Sequence, residues 1–182
     1  MARRECISLR VVKHSDPWDY FEVHDFFGND RDLEYINEFS NDLPSNDWRN
    51  MTVVREGAVY DLLLDRMRKL CVEIDFDFDL KNKHDFTVQF DNVRPNWAYD
   101  KVHSDNPKKF VTFVLALSDK GTGTHLYSRD RSTYIKTTDW IKNGGNGFIR
   151  KEDTWHDFDS KGLTRMRRTA ICMIAEKGWD SV

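Results

Sequence analysis

From Asp85 onward the chain divides into eight short runs of β type, and this most constrains what it can fold into. The runs are Phe86–Phe90, Tyr99–Asp105, Phe110–Leu117, Thr124–Ser128, Thr133–Thr137, Gly147–Arg150, His156–Phe158 and Arg168–Ala175. Turn chemistry separates them: Arg94-Pro95-Asn96, Lys120-Gly121-Thr122-Gly123 and Asn143-Gly144-Gly145-Asn146. Many short strands behind a more helical beginning predict a mainly β protein with N-terminal helices (α+β), its strands paired as a double-sheet jelly roll.

The first 84 residues read as mixed support for that core. Cys6–Val12 has the look of a strand, and Asp16-Pro17 marks a turn. Leu33–Phe39 carries helical spacing, and Tyr60–Val72 is the best helix, with Leu62, Leu63, Met67, Leu70 and Cys71 near the 3.6 period. Between Val72 and Leu80, apolar residues alternate with Glu73, Asp75, Asp77 and Asp79, which predicts an antiparallel strand with a wet acidic face. A calcium site on those carboxylates is the sharper alternative. No boundary divides the chain: residues 1–182 read as one domain, with support over about 1–84 and the jelly-roll core over about 85–177.

Composition narrows the class. A length of 182 residues, 39% hydrophobic, is enough for a buried core. The net charge of -3 gives no general attraction to nucleic acid or to an anionic membrane. Cys6, Cys71 and Cys172 are widely spaced and odd in number, so neither a disulfide framework nor a zinc ribbon is indicated. With no secretion signal at the N-terminus and no apolar run near the ~20 residues that span a bilayer, a cytoplasmic protein is expected.

The chemistry concentrates on His103-Ser104-Asp105. Strand side chains repeat every two residues, so this imidazole and carboxylate share one face. Asn106-Pro107 ends the strand, which places the pair where an open site can form. A second histidine would complete a two-His, one-carboxylate set, which covers one face of an octahedral Fe(II) and leaves other positions open. His156 lies far enough downstream for about four short strands to intervene. His125 is the competitor and follows more closely. The last run begins with Arg168, which shares strand parity with Ala170, Cys172 and Ile174, small enough at first to leave room for a ligand. Its guanidinium would hold a carboxylate-bearing co-substrate; Arg165 and Arg167 remain alternatives. The tripeptide His14-Ser15-Asp16 repeats the motif but precedes Pro17 and lacks a placed partner, so it reads as a surface turn.

In their order, His103-Ser104-Asp105-Asn106-Pro107, Val111-Thr112, Gly121-Thr122-Gly123-Thr124, His156 and Arg168-Thr169-Ala170-Ile171 resemble the Fe(II)- and 2-oxoglutarate-dependent dioxygenases, most of all the prolyl-hydroxylase-like branch. The resemblance spans about Phe86 to Ala175. It implies a double-stranded β-helix, with His103, Asp105 and His156 as iron ligands. It implies that Arg168 binds the distal carboxylate of 2-oxoglutarate, and that O2 is consumed. The family often places a tyrosine on the strand after the His-x-Asp pair as a second co-substrate contact. Here that strand reads Val114-Leu115-Ala116-Leu117, leaving Tyr99 or Thr112 for the role. The gap from His156 to Arg168 is also long for the family.

The function so implied is hydroxylation of a protein or peptide side chain, prolyl first, or of a small metabolite. The competing reading is a non-catalytic metal- or sugar-binding jelly roll of cupin type, which would keep the histidines but not need Arg168. Trp97 and Tyr99, entering the ligand strand, are the best candidates for a substrate wall; Arg129–Ser132 and the Gly144-Gly145 turn are candidates for a lid.

Overall fold

The computed structural model describes residues 9–43, 49–97 and 101–179. Among the described residues, two helices and ten strands follow one another as β1 (Arg10–His14), β2 (Tyr20–His24), α1 (Asp30–Asp42), β3 (Arg49–Val54), α2 (Ala58–Glu73), β4 (His84–Val93), β5 (Lys109–Ala116), β6 (His125–Tyr127), β7 (Tyr134–Thr137), β8 (Gly145–Ile149), β9 (His156–Asp157) and β10 (Arg167–Glu176). Cys6, Trp48 and Tyr99 lie outside the described residues. The expected run at Tyr99–Asp105 is represented within them by a single bridge, His103 to His156.

The strands form two sheets. The larger has the order β1-β2-β8-β5-β10-β4-β3 and the smaller β7-β6-β9, with every ladder antiparallel. Chain-distant strands become neighbours: β10, the last, lies between β4 and β5, which brings the end of the chain against the run that follows Asp105. No described helix is long and apolar enough to cross a membrane.

Strand alternation gives the larger sheet two unlike faces. One carries Phe90, Phe113, Leu115, Ala170, Cys172 and Ile174, packed with Leu63, Met67 and Leu70 of α2 and Ile36 of α1 in one buried cluster. Burying each large apolar side chain contributes roughly 1.5–3 kcal/mol, so this face supplies most of the cohesion. α1 starts as the sequence directs. The Asn29 side chain accepts from the Asp32 backbone N–H at 2.9 Å, and Asp30 and Asp32 occupy the first turn of α1, where the helix dipole favours negative charge. The other face of the sheet looks toward the small sheet and is mixed: Thr112, Asn146 and Thr169 are buried on it, and Phe148 packs there with Leu126 of the small sheet.

The expected strand over Val72–Leu80 does not form. Its start is taken by α2, which runs to Glu73, and no strand pairs with the rest. The alternation nevertheless reports burial: Ile74 is buried, Phe76, Phe78 and Leu80 rest on the core, and Asp75 and Asp77 stay exposed. Lys13 pairs with Asp75 at 3.0 Å and Lys83 with Asp77 at 2.8 Å. The Asp79 carboxylate caps a turn by accepting from the N–H groups of Lys81 and Asn82, both at 3.1 Å. Among the described residues these carboxylates form no metal-competent group.

Candidate metal centre

β10 and β5 make one wall of a cavity of about 410 Å³, and β9 reaches it from the other sheet, with Thr124 just ahead of β6. His103, Asp105 and His156 line it, and one donor atom from each lies within 4.8 Å of the others. The bridge that joins them is made of backbone: His103 N–H donates to His156 C=O at 3.0 Å, and His156 N–H donates to His103 C=O at 2.8 Å. Pairing of the two histidines is therefore fixed by the ladder rather than by side-chain contact, and the rings stand with centroids 4.5 Å apart.

The tautomer of each ring follows from its neighbours. His103 Nδ1 lies 3.1 Å from the Lys101 carbonyl and His156 Nδ1 lies 2.9 Å from the Thr154 carbonyl. A carbonyl only accepts, so both Nδ1 atoms carry the proton and both lone pairs sit on Nε2. That is the form a metal needs, with a backbone acceptor orienting each ring. His156 is enclosed, and burial, with a lesser push from His103, holds its pKa down to about 4 against the pull of Asp105. The ring is thus neutral near pH 7 and free of the proton that would compete with a cation.

Asp105 is 5% exposed and anionic. Burial opposes that charge, yet Lys109 and two hydrogen bonds, joined by His156 at the low pH where its ring is protonated, outweigh it and keep the carboxyl below its ordinary value. Lys109 Nζ donates to Oδ1 at 2.7 Å and Thr112 Oγ1 donates to Oδ2 at 2.6 Å. Both partners come from β5, just after the Asn106-Pro107 turn. Thr112 thus reaches the cavity but holds Asp105, while Tyr99, the other expected contact, lies outside the described residues.

The arginine that reaches this cavity is Arg167, not Arg168. Parity along β10 assigns Arg168 to the face of Ala170, Cys172 and Ile174, but those small residues pack under the helices instead of facing a ligand. Arg167 shares the other face with Thr169, Ile171 and Met173. It is 2% exposed, donates from Nε to the Thr122 carbonyl at 2.9 Å, and lies 4.4 Å over the Phe158 ring and 5.2 Å over that of Trp140. A guanidinium held this rigidly loses little freedom when it pairs with a carboxylate. Arg168 and Arg165 line a separate cleft.

The remaining expected residues fall outside the cluster. His125 bonds Thr137 Oγ1 at 2.6 Å and faces Asp159 at 3.5 Å. Trp97 packs on Phe158, a cavity-lining ring, with centroids 5.4 Å apart. Trp155 donates to the Arg129 carbonyl and lies under Arg131. Gly145 opens β8 with φ +151, and a Cβ there would sit 1.9 Å from the Val114 carbonyl, so the Gly144-Gly145 turn is part of the sheet and not a lid. Sequence reasoning missed Lys109 and the two backbone acceptors. Lys109 follows Asp105 by four residues across the Asn106-Pro107 turn, a visible charge pair; the carbonyls carry no residue signature.

The fold is that of the prolyl-hydroxylase-like 2-oxoglutarate oxygenases. The chain aligns with a Pseudomonas putida prolyl-4-hydroxylase over 87% of its own length and 93% of that chain, with a TM-score of 0.65 and 16% identity. It aligns with the viral collagen prolyl hydroxylase of Paramecium bursaria Chlorella virus-1, solved with 2-oxoglutarate, over 86% and 94%, at TM-score 0.60 and 17% identity. A Trichoplax adhaerens prolyl hydroxylase, solved with a hypoxia-inducible-factor peptide, matches over 87% and 84%, at TM-score 0.54 and 13% identity. No protein-family model and no curated protein sequence matches the chain.

Proposed function

We propose that this chain is an Fe(II)- and 2-oxoglutarate-dependent dioxygenase that hydroxylates a protein or peptide side chain, of prolyl type, or a small metabolite. The observation that carries the reading is the donor set. Two imidazoles with Nδ1 tied to backbone carbonyls and one buried carboxylate converge beside a buried guanidinium in a single cavity. A cupin-like binding module would not need Arg167 held against Thr122, Trp140 and Phe158.

Nε2 of His103, Nε2 of His156 and a carboxylate oxygen of Asp105 would hold the iron. Ferrous iron held there would supply activation of O2, the oxidant, so that one oxygen atom could enter a substrate C–H bond and the other the succinate formed as 2-oxoglutarate loses CO2. The protein positions and encloses. Arg167 pairs with the distal carboxylate of 2-oxoglutarate and fixes how deeply it enters. Lys109 and Thr112 occupy one lone pair on each Asp105 oxygen and so restrict how that carboxylate turns toward the metal. Phe158 and Val114 keep water from the co-substrate's carbon chain. We read the two facing sheets as the double-stranded β-helix that carries this site.

Anaerobic calorimetric titration with Fe(II), or with Co(II) as a redox-silent probe, tests the reading. One ion per chain should bind, and His103→Ala should abolish it. Binding unaffected by that substitution would place the metal elsewhere and remove the basis of the proposal.

A further inference from the structure

Arg168 and Arg165 lie outside the metal cavity and face a cleft of their own. Together with Lys120 and Lys142 they line a cleft of about 680 Å³ between the Leu117–Lys120 turn, the 162–166 segment and α1. Lys142 is matched by Asp119 at 2.5 Å. Among the described lining residues Lys120, Lys142, Arg165 and Arg168 stand against Asp119 alone, whose carboxyl is also held down by Arg165 and Arg168, so the lining keeps a net positive charge on a chain whose net charge is -3. Leu163 and Met166 add apolar wall, and the Asn37 side-chain amide adds a donor and an acceptor. The volume lies in the range of small-ligand sites, roughly 300–1,000 Å³.

We propose that this cleft binds a small organic phosphate of nucleotide size, and that its occupation is felt by the co-substrate pocket. Guanidinium forks match phosphate oxygens in pairs, while Leu163 and Met166 suit the less polar remainder of such a molecule. The route between the sites is short and made of direct bonds. Arg168 N–H donates to Ser118 Oγ at 3.2 Å, and Leu117 N–H donates to the Arg168 carbonyl at 3.0 Å. The Ser118 carbonyl accepts from Trp140 Nε1 at 2.8 Å, and the Trp140 ring lies on Arg167. Thr122, four residues along the same loop, accepts from Arg167 Nε. One loop, 117–122, thus touches the cleft on one side and holds the cavity arginine on the other. Gly121 lies close against Trp140, where a Cβ would stand 2.4 Å from the ring, so the loop and the indole are in direct contact.

The test uses the whole chain and two probes, ATP and inorganic pyrophosphate, followed by calorimetry. ATP should bind one per chain with micromolar affinity, more tightly than pyrophosphate, and the double variant Lys120→Ala/Arg165→Ala should weaken it about tenfold or more. Neither residue touches the metal cavity, so Fe(II) binding should be unchanged and serves as the check on folding. ATP should also change the affinity for 2-oxoglutarate, and 2-oxoglutarate that of ATP by the same factor. No ATP binding, binding that the double variant leaves intact, or preference for an RNA oligonucleotide over both small anions would overturn the site. ATP binding with no mutual effect would overturn the coupling. The binding measurements do not depend on the oxygenase reading; only the mutual effect does, so failure of one is distinguishable from failure of the other.

Discussion

The chain contains the tripeptide His-Ser-Asp twice, and the two copies do different things. His14 ends β1 at the edge of the large sheet, stacks on Tyr20 with centroids 4.4 Å apart, and faces Glu22 at 3.2 Å. His103 is paired through its backbone to a second histidine from β9 and shares a cavity with it and with Asp105. The first copy is satisfied by neighbours eight or fewer residues away. The second draws on residues 50 and more positions distant, delivered by the sheet order. The difference teaches that the motif is only half of the site. The rest is topology, which brings β10 beside the strand that follows Asp105 and β9 beside His103.

The largest difference between the copies should come from the carboxylates. Asp105→Ala should abolish activity and lower Fe(II) affinity at least ~100-fold, whereas Asp16→Ala should leave both unchanged; calorimetry and product analysis read this out. Next comes the arginine pair. Arg167→Ala should weaken 2-oxoglutarate binding by about 2–4 kcal/mol with iron affinity retained, and Arg168→Ala should have little effect on either without a cleft ligand present. Equal losses in the two variants would contradict the assignment of the role to Arg167 alone.

A smaller effect is expected at Lys109. Replacing it with methionine leaves the Asp105 charge buried with one partner fewer, so the metal-free protein should lose about 1–2 kcal/mol in urea unfolding, discounted from a fully buried pair because Lys109 is partly exposed. The titration of His156 gives a pH window. Its folded pKa of about 4 lies below the ordinary 6.5, so the unfolded chain takes up the proton first. Stability of the metal-free protein should be fully present above pH 6.5 and fall as pH drops toward about 4. His156→Gln should flatten that part of the stability curve. The smallest effect belongs to the other copy: His14→Ala should change stability by no more than about 0.5 kcal/mol.

Much of this was legible in the sequence because strand periodicity is local. The runs at Phe110–Leu117, Thr124–Ser128, Thr133–Thr137 and Arg168–Ala175 coincide with β5, β6, β7 and β10 to within a residue or two. The grouping of His103, Asp105 and His156 was also readable, from the order of residues and their resemblance to a known pattern. Parity failed at Arg168 for an instructive reason. Alternation says which residues share a face but not which face looks inward, and Ala170 and Cys172 were small because helices press on them, not because a ligand does. Alternation failed again at Val72–Leu80, where it tracked burial without a partner strand. The acceptors at Lys101 and Thr154 were invisible, since every residue has a carbonyl and only the fold aims it.

The central claim is that one copy of the motif is a metal site with a 2-oxo acid beside it and the other, at the end of an edge strand, is not. Anaerobic mixing of the protein with Fe(II) and 2-oxoglutarate tests it, read as the visible metal-to-ligand charge-transfer band of the chelate. The band should appear with the unaltered chain and with His14→Ala, and should be lost with His103→Ala. Its absence from the unaltered chain, or its survival in His103→Ala, would contradict the account.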